Sequence, residues 1–188
     1  MIKAGGETSI SVLKSVIDQI WTTGDWPEDW VTSELVPLPK VTGTMDCAKH
    51  RTISLIAHAS KVLLEILRSR LAYFITPQIA DEQFGFVPGK GTSEAILVLR
   101  NLIEKNMTRQ KAEIWIMFID YEKAFDTVDH NMLWQALEDI GIPQHLIWLV
   151  RKLYERASGV MYAYSENTPS PLTLRKESVK MHIVTDVV

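Results

Sequence analysis

Residues 9–22, SISVLKSVIDQIWT, repeat apolar side chains at helical spacing: Ile10, Leu13, Val16, Ile17, Ile20 and Trp21 share a face, and Gly24 follows as a stop. WPEDW (26–30) predicts a turn, and SELVPLPK (33–40) a short extended segment interrupted by two prolines. A second helix is expected over 60–75, with Val62, Leu63, Ile66, Leu67, Leu71 and Phe74 inward and Pro77 just beyond its end. FGFVPGKGT (84–92) is a glycine-proline loop, and Thr92 or Ser93 can cap the helix expected from there to about residue 106. AEIWIMFI (112–119) is apolar on both faces and predicts a strand covered on both sides of a sheet. Helices over 131–140 and 144–156 flank the turn GIPQ, and SGVMYAYS (158–165) alternates like an exposed strand. The tail from residue 165 carries Pro169 and Pro171, then a basic patch, and continues no earlier pattern.

Composition narrows the class. With 188 residues and 46% hydrophobic content the chain can bury a sizeable core, and 23% charge without low-complexity tracts argues against global disorder. No apolar run approaches the ~20 residues of a membrane span, and MIKAGGETS lacks the apolar core of a signal peptide. Cys47 is the only cysteine, so no internal disulfide or cysteine-rich zinc site is expected, and an intracellular setting is the natural reading. The net charge of −3 conceals an asymmetry. Residues 40–111 hold eleven Lys/Arg against six acids, a net of +5, whereas residues 112–139 hold seven acids against Lys123, a net of −6. A basic segment leading into an acidic one suits a polyanion held near cations; on charge alone, two solvated faces are the plainer explanation.

The acidic segment begins FIDYEKAFDTVDH (118–130), directly behind the apolar run. Asp120 is expected at the end of the buried strand, where open α/β layers place ligand sites. Hard cations such as Mg²⁺ take one or two carboxylates plus substrate phosphates, and two-metal phosphoryl chemistry adds carboxylates from a neighbouring strand. The alternative is that Asp120 only caps the next helix. FGFVPGKGT fails the Walker pattern because Gly91 separates Lys90 from Thr92, leaving either a backbone cradle for phosphate or an ordinary turn. The five histidines (His50, His58, His130, His145, His182) show no metal-ligand spacing, and no nucleophile elbow is present, so hydrolase chemistry has no support.

The order of four segments carries more than any one of them. CAKHRTISLIAHASKVLLEILRSRL, QFGFVPGKGTSEAILVLR, FIDYEKAFDTVDH and GIPQHLIWLVRKLY together resemble the reverse transcriptase of non-LTR retrotransposons over residues 20–164, and HRTISLIAHASKV is most similar to RTE-type elements. The resemblance implies an α+β fold, the fingers and first half of the palm of a right-hand polymerase, over 1–164. Residues 165–188 form an unrelated, poorly ordered tail in this reading. It implies RNA-directed DNA synthesis with an RNA template, a DNA primer, dNTPs and two Mg²⁺ ions. Asp120 would bind both metals, with the backbone carbonyl of Tyr121 assisting one. Phe125 would be the steric gate against a ribonucleotide 2′-OH, and Arg51 and Lys61 would contact the incoming triphosphate. Gln83, Gly85 and the PGKGT loop would lie along the template and fingers, while Asp126 and Asp129 would be structural.

Two substitutions depart from that pattern: Val87 where a basic residue is common, and Thr52 where proline is. The family's RQGxxLSPxLFN segment and its aromatic-x-Asp-Asp turn do not occur, and the chain has no Asp-Asp pair. The expected product is therefore a polymerase domain fragment inactive by itself, prone to self-association through an exposed sheet edge. The alternatives are a non-enzymatic nucleic-acid-binding remnant and a non-functional reading frame.

Overall fold

The computed structural model describes residues 6–44, 46, 49–108, 113–121, 124–125, 127–165 and 168–174, with the side chains described through residue 161. It is an α+β arrangement. Helix α1 spans Gly6–Thr23 and α2 is a single turn, Glu28–Val31. Strands β1 (Thr32–Pro39) and β2 (His50–Leu55) precede α3 (His58–Ile75), which runs into a 3-10 turn at Thr76–Gln78. The rest comprises α4 (Thr92–Met107), α5 (His130–Asp139), α6 (Gln144–Arg156), β3 (Ser158–Ser165) and β4 (Thr168–Leu174).

The sheet has the order β2-β1-β3-β4. β1 is antiparallel to β2 from Glu34↔Leu55 to Pro39↔His50, and parallel to β3 over Thr32↔Ser158 to Glu34↔Val160. The parallel pairing therefore ends at Glu34. Pro37 and Pro39 fall where β1 has a single neighbour, a position at which a missing N–H is tolerated. Along β1, Ser33 and Leu35 are buried while Glu34 between them is exposed, the period of two that sets which face meets the core.

One apolar cluster holds the elements together. Ile20 of α1, Trp26 and Val31 around α2, Leu63, Leu64, Leu67 and Leu71 of α3, Trp134 of α5, and Leu146, Ile147, Leu149 and Leu153 of α6 are all buried within it. The spacing in α3 and α6 is the i, i+3/i+4, i+7 stripe of a helix with one inward face. Gly24 ends α1 at φ +70°, donating its N–H to the Ile20 carbonyl at 2.8 Å. A Cβ there would lie 2.7 Å from the Trp148 ring, so glycine also allows α6 to close over this corner.

Three expectations need correcting. WPEDW is mostly helical, because Trp26 and Val31 both enter the core and one helical turn brings them inward together. HRTISL, to which the sequence pattern assigned no element, also forms a strand, pairing with β1 while Arg51, Thr52, Ile53 and Leu55 remain exposed. SGVMYAYS is an interior strand rather than an exposed one, since β1 and β4 flank it, and β4 carries the sheet beyond residue 164. The largest difference concerns 113–121, which forms no strand and is exposed throughout: Trp115 is 91%, Met117 80% and Phe118 82% accessible. Strand geometry depends on a neighbour to complete its hydrogen bonds, and no strand lies alongside this segment among the described residues. Helix α4 is similarly without a buried residue, with Ile96, Leu97, Val98 and Leu102 facing outward.

Candidate functional site

Asp120 follows the apolar run on an exposed, irregular backbone, so it does not stand at the edge of the sheet. The capping alternative for it also falls away. The helix that follows begins at His130, and Asp129 is its N-cap: one carboxylate oxygen accepts the Asn131 N–H at 2.7 Å and the Met132 N–H at 3.1 Å. Asp126 lies outside the described residues. Among the described residues no three His, Cys, Asp or Glu side chains converge. What Asp120 and Tyr121 offer together is one exposed carboxylate and one adjacent carbonyl. Both are hard oxygen donors of the kind Mg²⁺ takes alongside phosphate oxygens.

The cations of the basic segment divide by what they touch. Lys49 pairs with Asp46, Arg100 with Glu104, and Arg68 with Glu65 through a two-pronged contact. The hydrogen bond from Arg68 holds the Glu65 carboxyl below its ordinary range, and the same bond raises the Arg68 guanidinium. Arg70 lies over the Trp21 ring at 4.2 Å. Arg51, opposite Leu38 on β2, and Lys61, in the first turn of α3, are both exposed and carry no ion pair among the described residues. These two remain available to an external anion.

The glycine-proline loop is closed by its own side chains. Lys90 Nζ donates to the Asp81 carbonyl at 2.7 Å and sits 5.6 Å from the Phe84 ring centroid. Gln83 donates to the Gly85 carbonyl at 3.2 Å, and Gly89 takes φ +78°. Neither Thr92 nor Ser93 caps α4. Gly91 is the N-cap, and its N–H donates to the Glu94 carboxylate at 2.9 Å, so an internal acid occupies a donor that a phosphate would need. Phe86 stands at φ 60°, a left-handed conformation that costs an ordinary L-residue roughly 1–2 kcal/mol. Its ring meets Phe125 edge-to-face, with centroids 5.8 Å apart and an interplanar angle of 87°. The structure thus joins the loop to the FIDYEKAFDTVDH segment through Phe86, a residue that sequence reasoning passed over. Nothing in the local pattern announced it, because the signal is a backbone conformation. Among the described residues no contact brings Arg51, Lys61 and Asp120 together.

A family profile for reverse transcriptase (RNA-dependent DNA polymerase) matches residues 38–176, a span that includes Arg51, Lys61, Asp120, Tyr121 and Phe125. The chain belongs to the reverse transcriptase family, as a domain fragment of the non-LTR retrotransposon class. It is 28% identical over 143 residues to a retrovirus-related Pol polyprotein from a type-1 retrotransposable element R2 of Nasonia vitripennis, covering 74% of this chain and 14% of the relative. Against the transposon TX1 149 kDa protein of Xenopus laevis the identity is 24%, covering 76% of this chain and 11% of the relative. With the R2DM Pol polyprotein of Drosophila melanogaster it is 24%, covering 81% and 14%. The chain thus spans about one seventh or less of the length of these relatives. No helix among the described residues is long and apolar enough to cross a membrane.

Proposed function

We propose that this chain supplies the fingers and the first half of the palm of an RTE-type polymerase that copies an RNA template from a DNA primer. In this reading Asp120 and the Tyr121 carbonyl hold Mg²⁺ ions, which would neutralise charge on the incoming triphosphate. Arg51 and Lys61 contact that triphosphate. Phe125 packs where a 2′-OH would sit and so favours dNTPs, with Gln83, Gly85 and the 88–92 loop along the template. The observation that carries the reading is the placement of Asp120: an exposed carboxylate directly behind an apolar run, inside a span matched to the family and released from any capping duty by Asp129.

Synthesis by residues 1–188 alone is not expected. One carboxylate leaves the second ion almost without protein ligands, and losing a ligand from a site that acts as a unit costs several kcal/mol, each ~1.4 kcal/mol being about tenfold in rate. The direct test titrates Mn²⁺ into the chain bound to primer–template and dNTP and follows amide signals. Paramagnetic broadening should centre on Asp120 and Tyr121 and vanish in Asp120→Asn. Broadening elsewhere, unchanged by that substitution, removes the assignment.

A second reading, a nucleic-acid-binding remnant without catalysis, is favoured by Arg51 and Lys61, which carry no ion pair among the described residues, in the segment of net charge +5. A salt titration separates it from a chain without function. Each phosphate neutralised steepens the fall of log K with log salt by roughly 0.7–0.9.

A further inference from the structure

Phe86 is bulky, yet it holds φ 60°, a conformation such side chains keep only where the surrounding structure imposes it. The imposing elements are on either side of it. Lys90 is fastened to the Asp81 carbonyl and the Phe84 ring, Gln83 to the Gly85 carbonyl, and Gly89 turns the chain at φ +78°. The ring that results is 57% exposed, so core burial does not explain the strain. Its aromatic partner is Phe125, itself 38% exposed, met edge-to-face at 5.8 Å. An edge-to-face contact fixes the angle of the second ring, because the positive edge of one is directed at the negative face of the other.

We propose that Phe86 is a positioning residue for Phe125: the closed 81–91 loop sets the Phe86 ring, and that ring fixes the angle at which Phe125 meets the sugar of an incoming nucleotide. The proposal rests on the gate reading of Phe125 given above and adds a specificity-determining residue to it. It also gives the loop a use. With Lys90 latched internally and the Gly91 N–H taken by Glu94, the loop acts as a stop for the gate and not as a cradle for phosphate. A phenyl ring free to swing aside would admit a 2′-OH; one held by Phe86 would not.

The test uses the full chain with isotope-labelled phenylalanine rings and four variants: Phe86→Leu, Phe86→Tyr, Lys90→Met and Phe125→Val. Two quantities are read: the Phe125 ring signals by NMR, and the ratio of ATP to dATP dissociation constants with Mg²⁺ present. Phe86→Leu and Lys90→Met should shift the Phe125 signals and bring the ratio closer to one by about two- to tenfold, the range an aromatic pair commands. Phe86→Tyr, which keeps the ring, should restore both. Unmoved Phe125 signals in Phe86→Leu overturn the proposal. So does a ratio that changes in Phe125→Val but not in Phe86→Leu, in which case the gate stands without its positioner. If neither substitution alters the ratio, or the unaltered chain binds neither nucleotide, the gate reading fails, and the sugar-selecting role of Phe86 fails with it. Shifted ring signals would then mark a structural contact only.

Discussion

Trp115 and Phe118, at 91% and 82% exposure in a run of six consecutive apolar residues, are the strongest reason to expect self-association. Isolated apolar side chains on a surface are ordinary, but a contiguous patch of this kind is an interaction or aggregation site. Fully burying one large apolar side chain contributes about 1.5–3 kcal/mol. Trp115 and Phe118 together therefore account for roughly 3–6 kcal/mol of any association that covers them. Replacing both with lysine should weaken it by roughly 10²- to 10⁴-fold, since ~1.4 kcal/mol is tenfold in a dissociation constant. The assay is sedimentation velocity across micromolar concentrations, supported by Trp fluorescence. The unaltered chain should sediment as a concentration-dependent mixture of oligomers and the double variant as a monomer. Because both side chains are exposed already, the change should leave the thermal midpoint of the helical core in place. A monomeric unaltered chain with a sharp cooperative transition would refute the reasoning, and so would oligomers indifferent to the double substitution.

Three smaller predictions concern the scaffold. Gly24→Ala should cost about 2–4 kcal/mol, left-handed strain plus the collision with Trp148, whereas Gly141→Ala, at φ +88° with open space around it, should cost only about 1–2 kcal/mol; urea melts giving equal losses would contradict the packing of α1 against α6. Asp129→Ala should remove about 1 kcal/mol by uncapping α5, with Asp129→Asn retaining most of it, as thermal melts would show. Burial pushes the Tyr154 hydroxyl up to about 12, while the same group in the unfolded chain ionises near ~10. The folded state therefore keeps its proton longer, and stability present below pH ~10 should drain away as pH rises towards ~12. Tyr154→Phe should flatten that alkaline slope and, by removing a buried hydroxyl with no hydrogen-bond partner among the described residues, should not destabilise the chain at neutral pH.

The helices were legible because each must bury one stripe. Leu63, Leu67 and Leu71 of α3, and Leu146, Leu149 and Leu153 of α6, announce their faces by spacing, and Gly24 and Gly141 mark stops by the φ they require. Strands were less legible, because a strand is made by its neighbour. HRTISL has little apolar alternation of its own and is ordered by pairing with β1. EIWIMFI (113–119) has every strand propensity and no described partner, and remains irregular. At the site, motif order pointed to Asp120, Arg51, Lys61 and Phe125, but not to how they are supported. The latch made by Lys90 and the ring contact from Phe86 are tertiary facts, invisible to spacing, whereas the Asp129 cap is local, reaching only two and three residues along the chain.

The role of Asp120 is tested most directly by primer extension on an RNA template with dNTPs and Mg²⁺. Three proteins are compared: residues 1–188, the same chain joined after Tyr164 to a family palm hairpin and thumb, and that chimaera carrying Asp120→Ala. The account predicts no extension by the first, extension by the second and none by the third. Extension by residues 1–188, or by the chimaera carrying Asp120→Ala, would contradict it.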